Sequence, residues 1–509
     1  MSDERERRRV PITRLATGVP GLDEVLGGGV SEYSFSLIAG APGTGKTTLA
    51  LQTIFGLATP ERPALHFTVL GEPPLKMLRY QQQFSFFDPA KVGNQVRFVN
   101  LSEEVLQHDL STVLAAIVRE VEAVGPGLVV VDSFRSIVRA TGAGGDGVIE
   151  LQGFLQRLAL HLTTWQATTF LVGEYLESEM QDNPVFTIAD GLLWMHQSVE
   201  RNSSVRKMQV LKMRGQATLP GLHTMRITDD GVQVFPRIIK RIAETNTPRP
   251  DTRLSTGVAA LDEMLGGGVP AWDSALVAGP AGSGKSALAT QFIAEGLRQG
   301  EPGVIAVFEE RPKEYLERAK MLGPDMDEAV RAGMLEVLYL RPLDLSVDEA
   351  LPEIQAAVER TKAQRLVIDS LSGFELALAP TFRADFRESL YRMVGALTGA
   401  GVTVFMTVEV GVSFTDLEFS PDLISFLTDD IILQRYVELE GELRRVIAVV
   451  KMRRSMHSTA LRLYEITEHG MEIGETLTDY TGVITGVARR RDDLPPSDGA
   501  ADRSADAES

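Results

Sequence analysis

The chain has no cysteine among its 509 residues. This absence excludes disulfide bridges, thiolate metal sites and a cysteine nucleophile. The sequence also has no apolar run of about 18 residues, the length that a membrane-spanning helix needs, and its charged N-terminus has no signal-peptide pattern. We therefore expect a cytoplasmic protein without a membrane partner.

Acidic residues outnumber basic residues in this chain. It has 69 aspartates and glutamates and 51 lysines and arginines, which gives a net charge of −18. A protein that binds duplex DNA needs a basic face, so this balance argues against a nucleic-acid partner. Hydrophobic residues make up 44% of the chain and charged residues 24%, which is typical of a globular protein. The length allows about two to four domains.

Two stretches fit the phosphate-binding loop G-x-x-x-x-G-K-[ST], at residues 40–47 and 279–286. In this motif backbone N–H groups converge on the α- and β-phosphates, the lysine reaches the β- and γ-phosphates, and the final hydroxyl lies on Mg²⁺. An apolar run precedes each loop and an amphipathic stretch follows it, as a strand and a helix would. The motifs predict two sites for ATP and Mg²⁺, with the binding residues Gly43, Thr44, Gly45, Lys46, Thr47 and Thr48 in the first and Gly282, Ser283, Gly284, Lys285, Ser286 and Ala287 in the second.

The two loops belong to an internal duplication. The motif T-G-V-x-x-L-D-E-x-L-G-G-G-V begins at Thr17 and again at Thr256, an offset of 239 residues, and the two loop lysines have the same offset. A constant offset over this distance indicates two copies of one αβ module. We assign a flexible N-terminus to residues 1–12, the first module to 13–240, a linker to 241–253, the second module to 254–486 and a disordered tail to 487–509.

An apolar run that ends in aspartate follows each loop at nearly the same distance. Asp132 and Asp369 lie 86 and 84 residues beyond the two loop lysines. A buried strand that ends in aspartate is where a Walker-B carboxylate holds the hydration shell of Mg²⁺. The predicted metal-site residues are therefore Thr47, Asp132, Ser286 and Asp369.

Carboxylates also follow the strand predicted after each loop helix. The second module has Glu309 and Glu310 there, and the first has Gly71 and Glu72. A carboxylate at a strand end beside a phosphate loop can position or deprotonate water, and the alternative is a solvated loop charge. Glu72, Glu309 and Glu310 are our catalytic candidates.

Further apolar runs occur at residues 168–172 and 191–195 and again at 402–407 and 430–433. Each module thus alternates strands and helices and then finishes with strands. The pattern predicts an α/β fold of two tandem P-loop domains, each a mostly parallel sheet flanked by helices, with the nucleotide at the C-terminal ends of the strands.

A basic motif, K-M-R, closes each module at residues 212–214 and 451–453. One interpretation is an edge strand flanked by solvated cations. The other is that the cations reach the γ-phosphate of a neighbouring subunit, where they raise the rate by several orders of magnitude. The residues concerned are Lys212, Arg214, Lys451 and Arg453.

The duplicated phosphate loop, the motifs E-E-R-P and V-I-D-S, and the closing K-M-R-x-S-x-H together resemble the KaiC family of circadian clock ATPases, a branch of the RecA-like ATPases. The resemblance covers residues 13–486. It implies two RecA-like domains in a two-ring homohexamer with ATP between adjacent subunits in both rings. It also implies ATPase activity in the N-terminal ring, autokinase and autophosphatase activity in the C-terminal ring, and KaiB-like or signalling protein partners.

Carried over residue by residue, the resemblance assigns Glu309 and Glu310 to the catalytic pair of the kinase ring. It implies a further nucleotide contact at Arg387, and it makes residues 478–486 similar to the family's regulatory loop. Contacts with the ATP of the neighbouring subunit are implied for Lys451, Met452, Arg453, Ser455 and His457.

Three positions depart from the family pattern. Gly71 replaces the first glutamate of the pair in the first module, and Thr218 stands where the first-ring motif has a histidine. The family's two phosphoacceptors correspond to Ser425 and Phe426, and phenylalanine cannot accept phosphate. Ser425 is therefore the one predicted phosphosite of this pair, and the alternative is an ordinary polar surface residue.

Three functions remain open at this point. The first is an ATPase with serine autokinase and autophosphatase activity that acts as a signalling or circadian-type timing hexamer. The second is a RecA-like DNA recombination or repair ATPase, which would need loops rich in lysine and arginine, whereas residues 140–146 are glycine-rich and acidic. The third is a nucleotide-gated scaffold with incidental turnover.

Overall fold

The computed structural model describes residues 12–69, 74–107, 109–140, 148–200, 203–237, 248–320, 326–340, 346–377, 383–410, 428–483 and 489–490. The chain divides into two compact units, residues 1–239 and 240–509. The predicted flexible N-terminus and most of the predicted linker and tail lie outside the described residues. Within the described ranges, no helix is both long enough and apolar enough to cross a membrane.

The first unit alternates strands and helices up to β8 and then continues as strands. Its described strands are β1 (Arg14–Leu15), β2 (Val30–Ser31), β3 (Phe35–Gly40), β4 (Ala64–Thr68), β5 (Val96–Asn100), β6 (Leu128–Asp132), β7 (Thr168–Glu174), β8 (Gly191–Glu200), β9 (Ser203–Met213), β10 (His223–Thr228) and β11 (Gly231–Phe235). Its helices are α1 (Leu22–Val25), α2 (Lys46–Leu57), α3 (Pro74–Gln81), α4 (Ser102–Val105), α5 (Leu110–Val124), α6 (Phe134–Ala140), α7 (Val148–Thr164) and α8 (Pro184–Ile188).

The second unit repeats this order. Its described strands are β12 (Arg253–Leu254), β13 (Val269–Pro270), β14 (Ser274–Gly279), β15 (Gly303–Val307), β16 (Leu335–Tyr339), β17 (Arg365–Asp369), β18 (Thr403–Glu409), β19 (Asp430–Leu439), β20 (Glu442–Met452), β21 (Arg462–Thr467), β22 (Gly470–Thr476), β23 (Tyr480–Thr481) and β24 (Arg489–Arg490). Its helices are α9 (Ala259–Met264), α10 (Lys285–Arg298), α11 (Pro312–Ala319), α12 (Met326–Arg331), α13 (Val347–Thr361), α14 (Ser372–Ala377) and α15 (Arg383–Gly399).

Each unit is built on one nine-stranded sheet. The strand order is β5-β4-β6-β7-β3-β8-β9-β10-β11 in the first unit and β16-β15-β17-β18-β14-β19-β20-β21-β22 in the second. The first six strands of each order are parallel and the remaining strands pair antiparallel. The prediction of two tandem RecA-like α/β domains with mostly parallel sheets is therefore confirmed.

The central strands are buried on both faces, and their composition explains why. Strands β3, β4, β6 and β14 are buried at every position, as expected for parallel strands that helices cover on both sides. The last parallel strands, β8 and β19, extend well beyond the apolar runs predicted for them. Each also pairs with an antiparallel neighbour, β9 or β20. The hydrogen bonds of this pairing extend the strand past its apolar run into polar residues.

The duplicated T-G-V motif forms the same turn in both units. The backbone N–H and the hydroxyl of Thr17 both donate to Oδ1 of Asp23 at 2.8 Å, and Thr256 donates to Asp262 in the same way at 2.8 and 2.7 Å. A Cβ added at Gly56 in α2 would lie 3.0 Å from the carbonyl oxygen of Thr17. In the first unit the motif therefore packs against α2, the helix that follows the phosphate loop.

Candidate nucleotide sites

The first phosphate loop joins the end of β3 to the start of α2. Gly45 has a φ angle of 97°, in the region that favours glycine, and a Cβ there would lie 2.4 Å from Cδ1 of Ile227. Lys46 is buried, and its Nζ donates to the carbonyl oxygen of Ala41 at 2.7 Å. The loop thus holds a cation in the concavity where this motif binds phosphate.

Asp132, at the end of β6, accepts a hydrogen bond from the last residue of this loop motif. The hydroxyl of Thr47 donates to Oδ2 of Asp132 at 2.6 Å. Burial raises the pKa of Asp132 to about 6, although the Thr47 bond and the charge of Lys46 act in the opposite direction. An approaching cation favours the ionised carboxyl. The structure therefore brings together the hydroxyl and the carboxylate that the sequence predicts as metal-site residues.

The second phosphate loop has the same design and more side-chain support. The Nζ of Lys285 donates to the carbonyl oxygen of Pro280 at 2.8 Å. The hydroxyl of Ser283 donates to Oε1 of Gln434 at 3.1 Å, and the hydroxyl of Tyr464 donates to the Ser283 carbonyl oxygen at 2.5 Å. Strands β19 and β21 thus hold the loop in position from the antiparallel side of the sheet.

The Walker-B aspartate of the second unit has a different hydrogen-bond partner. Oδ1 of Asp369 accepts from the hydroxyl of Thr407, on the neighbouring strand β18, at 2.5 Å. Ser286 is half-buried in the first turn of α10. The predicted metal residues of this unit therefore lie at the same edge of the sheet, without the direct hydroxyl-to-carboxylate bond that the first unit has.

The two glutamates after β15 differ in their side-chain contacts and exposure. Arg318 holds Glu310, since Nε of Arg318 lies 3.1 and 3.2 Å from the two carboxylate oxygens and a terminal nitrogen lies 3.1 Å from Oε2. The guanidinium lies over the ring of Tyr315, at 4.7 Å from its centroid, and the Tyr315 hydroxyl is 2.8 Å from that of Thr290 in α10. Glu309 is exposed and has no ion pair within the described residues. Glu309 is thus the more available of the two carboxylates.

Glu72, the corresponding candidate of the first unit, lies outside the described residues, as does Gly71 before it.

A carboxylate that the sequence analysis missed lies beside the first loop. Glu174 is the last residue of β7 and pairs with Gly40, the first residue of the phosphate loop. Burial lowers the pKa of Lys46, and the negative charge of Glu174, ahead of that of Asp132, opposes the effect. The charge of Glu174 therefore acts on the lysine of the phosphate loop.

The second unit has the equivalent carboxylate. Glu409 ends β18 and pairs with Gly279. Burial lowers the pKa of Lys285, and among the opposing charges Glu409 ranks ahead of Asp369 and Glu309. The sequence did contain a signal for both carboxylates. The apolar runs predicted to end at residues 172 and 407 are each followed, two residues later, by a glutamate, which is Glu174 in the first unit and Glu409 in the second.

The closing cations of the first unit are partly anchored. The Nζ of Lys212 donates to the carbonyl oxygen of Thr187 at 2.8 Å. Arg214 donates to Oδ1 of Asp190 at 2.9 Å, and 62% of its side chain is exposed. Burial and then the charge of Arg214 lower the pKa of Lys212.

The second unit repeats this arrangement. The Nζ of Lys451 donates to the carbonyl oxygen of Thr428 at 2.6 Å. Arg453 lies 3.5 Å from Oδ1 of Asp429, and 53% of its side chain is exposed. Burial and then the charge of Arg453 lower the pKa of Lys451. Each unit therefore presents one half-buried lysine and one exposed arginine together.

These cations lie at the sheet edge opposite their own phosphate loop. In the second unit Met452 pairs with Asp430, and Asp430 pairs with Ala275 at the start of β14. The loop leaves β14 at its other end, after Gly279, which is about 13 Å away at roughly 3.3 Å per residue. The first unit has the same register, because Met213 pairs with Gly191 and Gly191 pairs with Ser36.

The remaining predicted residues fall in several places. The Met452 side chain is buried in the core of the second unit. The Ser455 hydroxyl donates to the Met452 sulfur at 3.6 Å, and His457 is half-buried nearby. Arg387 belongs to α15.

Thr48 and Ala287 are half-buried in the first turns of α2 and α10, and Gly43, Thr44, Gly282 and Gly284 lie within the loops. Ser425 lies outside the described residues.

A phosphate loop between a central parallel strand and a helix, with a Walker-B aspartate at the same edge of the sheet, defines a P-loop nucleotide-binding protein of RecA-like fold, here in tandem. The model of the family described as "ATPase: KaiC" matches residues 15–238 and again residues 254–478. The chain therefore belongs to the KaiC ATPase family.

Individual relatives agree with the family match over nearly the whole chain. The circadian clock oscillator protein KaiC of Rippkaea orientalis is 30% identical over 499 residues, which are 96% of this chain and 94% of the relative. The KaiC of Picosynechococcus sp. is 29% identical over 94% of this chain and 93% of its own. KaiC 1 of Synechocystis sp. is 28% identical over 96% and 95%. The resemblance predicted from the motifs is thereby confirmed.

Proposed function

We propose that this chain is an ATP-hydrolysing enzyme with serine autokinase and autophosphatase activity in its second unit. It works as a homohexamer with Mg-ATP between adjacent subunits, as a signalling or circadian-type timing protein with KaiB-like or other signalling partners. The observation that carries the proposal is the position of the K-M-R cations, at the sheet edge opposite their own phosphate loop in both units.

The distance across the sheet supports a role for these cations away from their own site. About 13 Å of strand separates Met452 from the start of the second loop, and Arg453 lies one residue further away. A cation on one edge and a phosphate loop on the other make a head-to-tail surface, and such surfaces close into rings when the rotation allows it. The exposed Arg214 and Arg453 then face the nucleotide of the next subunit.

The chain's own residues supply binding and charge stabilisation. The loop N–H groups with Lys46 and Lys285 bind the phosphates, and the arginine of the adjacent subunit stabilises the charge that develops on the transferring group. Magnesium, held when bound by Thr47 with Asp132 and by Ser286 with Asp369, neutralises part of the phosphate charge. Glu309, exposed at the end of β15, orients and deprotonates the attacking water or hydroxyl in the second unit.

Ser425 is the proposed phosphoacceptor. It precedes Thr428 by three residues, and the Thr428 carbonyl accepts from Lys451, so the chain re-enters the described residues at the edge that carries the cations. In the transfer, the Ser425 oxygen bonds to the γ-phosphorus and the bond from that phosphorus to the β–γ bridging oxygen breaks. ADP keeps the electron pair, and the hydroxyl proton passes to Glu309 of the adjacent subunit.

Subunit mixing tests the arrangement directly. Lys285→Ala removes the phosphate-binding cation, Arg453→Ala removes the cation proposed to act in trans, and each variant alone should lose the turnover of the second unit. Rings assembled from an equal mixture contain junctions with both groups intact, so about a quarter of the wild-type turnover should return. No recovery in rings shown to be mixed would contradict the trans arrangement.

The kinase assignment needs its own experiment. Wild-type protein incubated with labelled Mg-ATP should carry one phosphate at Ser425, located by mass spectrometry, and Ser425→Ala should abolish the label while ATP hydrolysis continues. A label that persists in Ser425→Ala would refute the site. Wild-type protein that never becomes labelled would leave the ATPase activity alone.

The two alternative functions have simple tests. A recombination or repair ATPase should retain single-stranded DNA at low salt, and failure to retain it would remove that alternative. A nucleotide-gated scaffold should keep its assembly and its function in Glu309→Gln, whereas our proposal expects second-unit turnover to fall by about 10²-fold or more.

A further inference from the structure

Glu174 occupies a distinctive place in the first unit. Its strand, β7, lies between β3, which leads into the phosphate loop, and β6, which ends in Asp132. Glu174 is the final residue of β7, its side chain is exposed, and it pairs with Gly40 at the start of the loop. Neighbouring strands are about 4.8 Å apart, so a carboxylate here lies between the two parts of the nucleotide site.

The backbone at Glu174 is held on both sides. The N–H of Tyr175 donates to the carbonyl oxygen of Gly40 at 3.3 Å, and the guanidinium of Arg135 donates to the carbonyl oxygen of Glu174. Arg135 is itself fixed by two bonds of 2.6 Å to the carboxylate of Glu179 and lies 5.1 Å from the ring centroid of Tyr175. The backbone of Glu174 is therefore held in place relative to the loop, and this limits the positions that its carboxylate can reach.

The two units differ in the carboxylates that follow the strand after the loop helix. The second unit has Glu309 and Glu310 after β15 in addition to Glu409. The first unit has Gly71 in place of the first glutamate of that pair. Among the described residues of the second unit, no arginine corresponds to Arg135, and the hydroxyl of Ser372 accepts from the N–H of Glu409 at 3.3 Å. The unit that lacks the first glutamate of that pair thus has an arginine bonded to the backbone of the carboxylate residue at the end of β7.

We propose that Glu174 is the residue that positions and deprotonates the attacking water in the first unit. This inference rests on the proposed ATPase function and assigns the base of its first site. The water oxygen bonds to the γ-phosphorus while the bond from that phosphorus to the β–γ bridging oxygen breaks, and ADP keeps the electron pair. The water proton passes to the Glu174 carboxylate and from there to solvent.

The experiment uses the full-length chain carrying Lys285→Ala, so that phosphate release reports the first unit. Glu174→Gln should lower the maximal rate of release by about 10²-fold or more, whereas affinity for a fluorescent ATP analogue should change by less than roughly threefold. Glu177→Gln is the matched control, because Glu177 is 68% exposed and lies 3.5 Å from His196. It should leave the rate unchanged.

Three results would overturn this assignment. Glu174→Gln could keep its rate while Glu72→Gln loses it, which would make Glu72 the base. Glu174→Gln could keep the maximal rate but need more magnesium, which would place the carboxylate in the hydration shell of the metal. Phosphate release in the Lys285→Ala protein that does not depend on Lys46 would refute hydrolysis in the first unit, and with it both the function and this assignment.

Discussion

His66 makes the stability of the first unit sensitive to mildly acidic pH. It lies in β4, is fully buried, and neither of its ring nitrogens has a hydrogen-bond partner within the described residues. The ring packs against Phe98, at 5.2 Å between centroids. Burial lowers its pKa to about 4. The corresponding position in the second unit, 239 residues later, is Ile305, so His66→Ile replaces the imidazole by a residue that the same fold already accepts.

The magnitude follows from the two pKa values. Above about pH 6.5 the imidazole is neutral in both the folded and the unfolded chain, and it gives no pH dependence. As the pH falls, the unfolded chain binds the proton first, and stability is lost between about pH 6.5 and pH 4. At pH 5.5 this loss amounts to about 1.4 kcal/mol. His66→Ile also removes two buried unpaired nitrogens, each of which costs about 1–3 kcal/mol at any pH.

Urea unfolding at pH 7.5 and pH 5.5 measures both effects. Trp194 is buried in the first unit, and its fluorescence reports that unit in protein that also carries Trp165→Phe and Trp272→Phe. His66→Ile should be more stable at both pH values, with an advantage about 1.4 kcal/mol larger at pH 5.5. His161→Gln, at an exposed histidine of the same unit, is the control. An advantage that stays the same within about 0.5 kcal/mol would refute the reasoning.

Three further outcomes are expected. Burial, with the charges of Asp273 and Asp429, raises the pKa of Asp430 to about 8. Wild type should therefore lose about 1.4 kcal/mol of stability for each unit that the pH rises between about pH 4 and pH 8, and Asp430→Asn should not. Urea unfolding that shows the same pH dependence for the two proteins would contradict this. Glu309→Gln should reduce phosphotransfer by about 10²-fold or more and Glu310→Gln by less than about tenfold, because Arg318 already engages Glu310; quantitative phosphosite analysis should give this order, and the reverse order would disprove it. Lys46→Ala should lower the fraction of hexamer, measured by light scattering, whereas the hexamers that still form should keep their kinase activity because phosphotransfer uses the second nucleotide site; complete loss of turnover in Lys46→Ala but not in Lys285→Ala would reverse the roles of the two sites.

Much of this protein could be predicted from sequence because the decisive signals are local. A phosphate loop needs glycines, a lysine and a hydroxyl at fixed spacing, since one short segment makes all of its contacts with phosphate. The strands that end at Asp132 and Asp369 are short apolar runs because helices cover them on both faces. The constant offset of 239 residues indicated a duplication without any knowledge of the fold. These patterns were sufficient for the fold class and for the family.

The tertiary structure decided what depends on strand order and register, which no local pattern encodes. Glu174 became a candidate only when β7 was found between β3 and β6, because that order places the end of β7 beside the phosphate loop. Glu310 differs from Glu309 because it is bonded to Arg318, which lies eight residues later near the end of α11 and over the ring of Tyr315. The K-M-R cations were visible in the sequence, but their distance from their own loop follows from antiparallel pairing, which carries the end of β20 back to the start of β14.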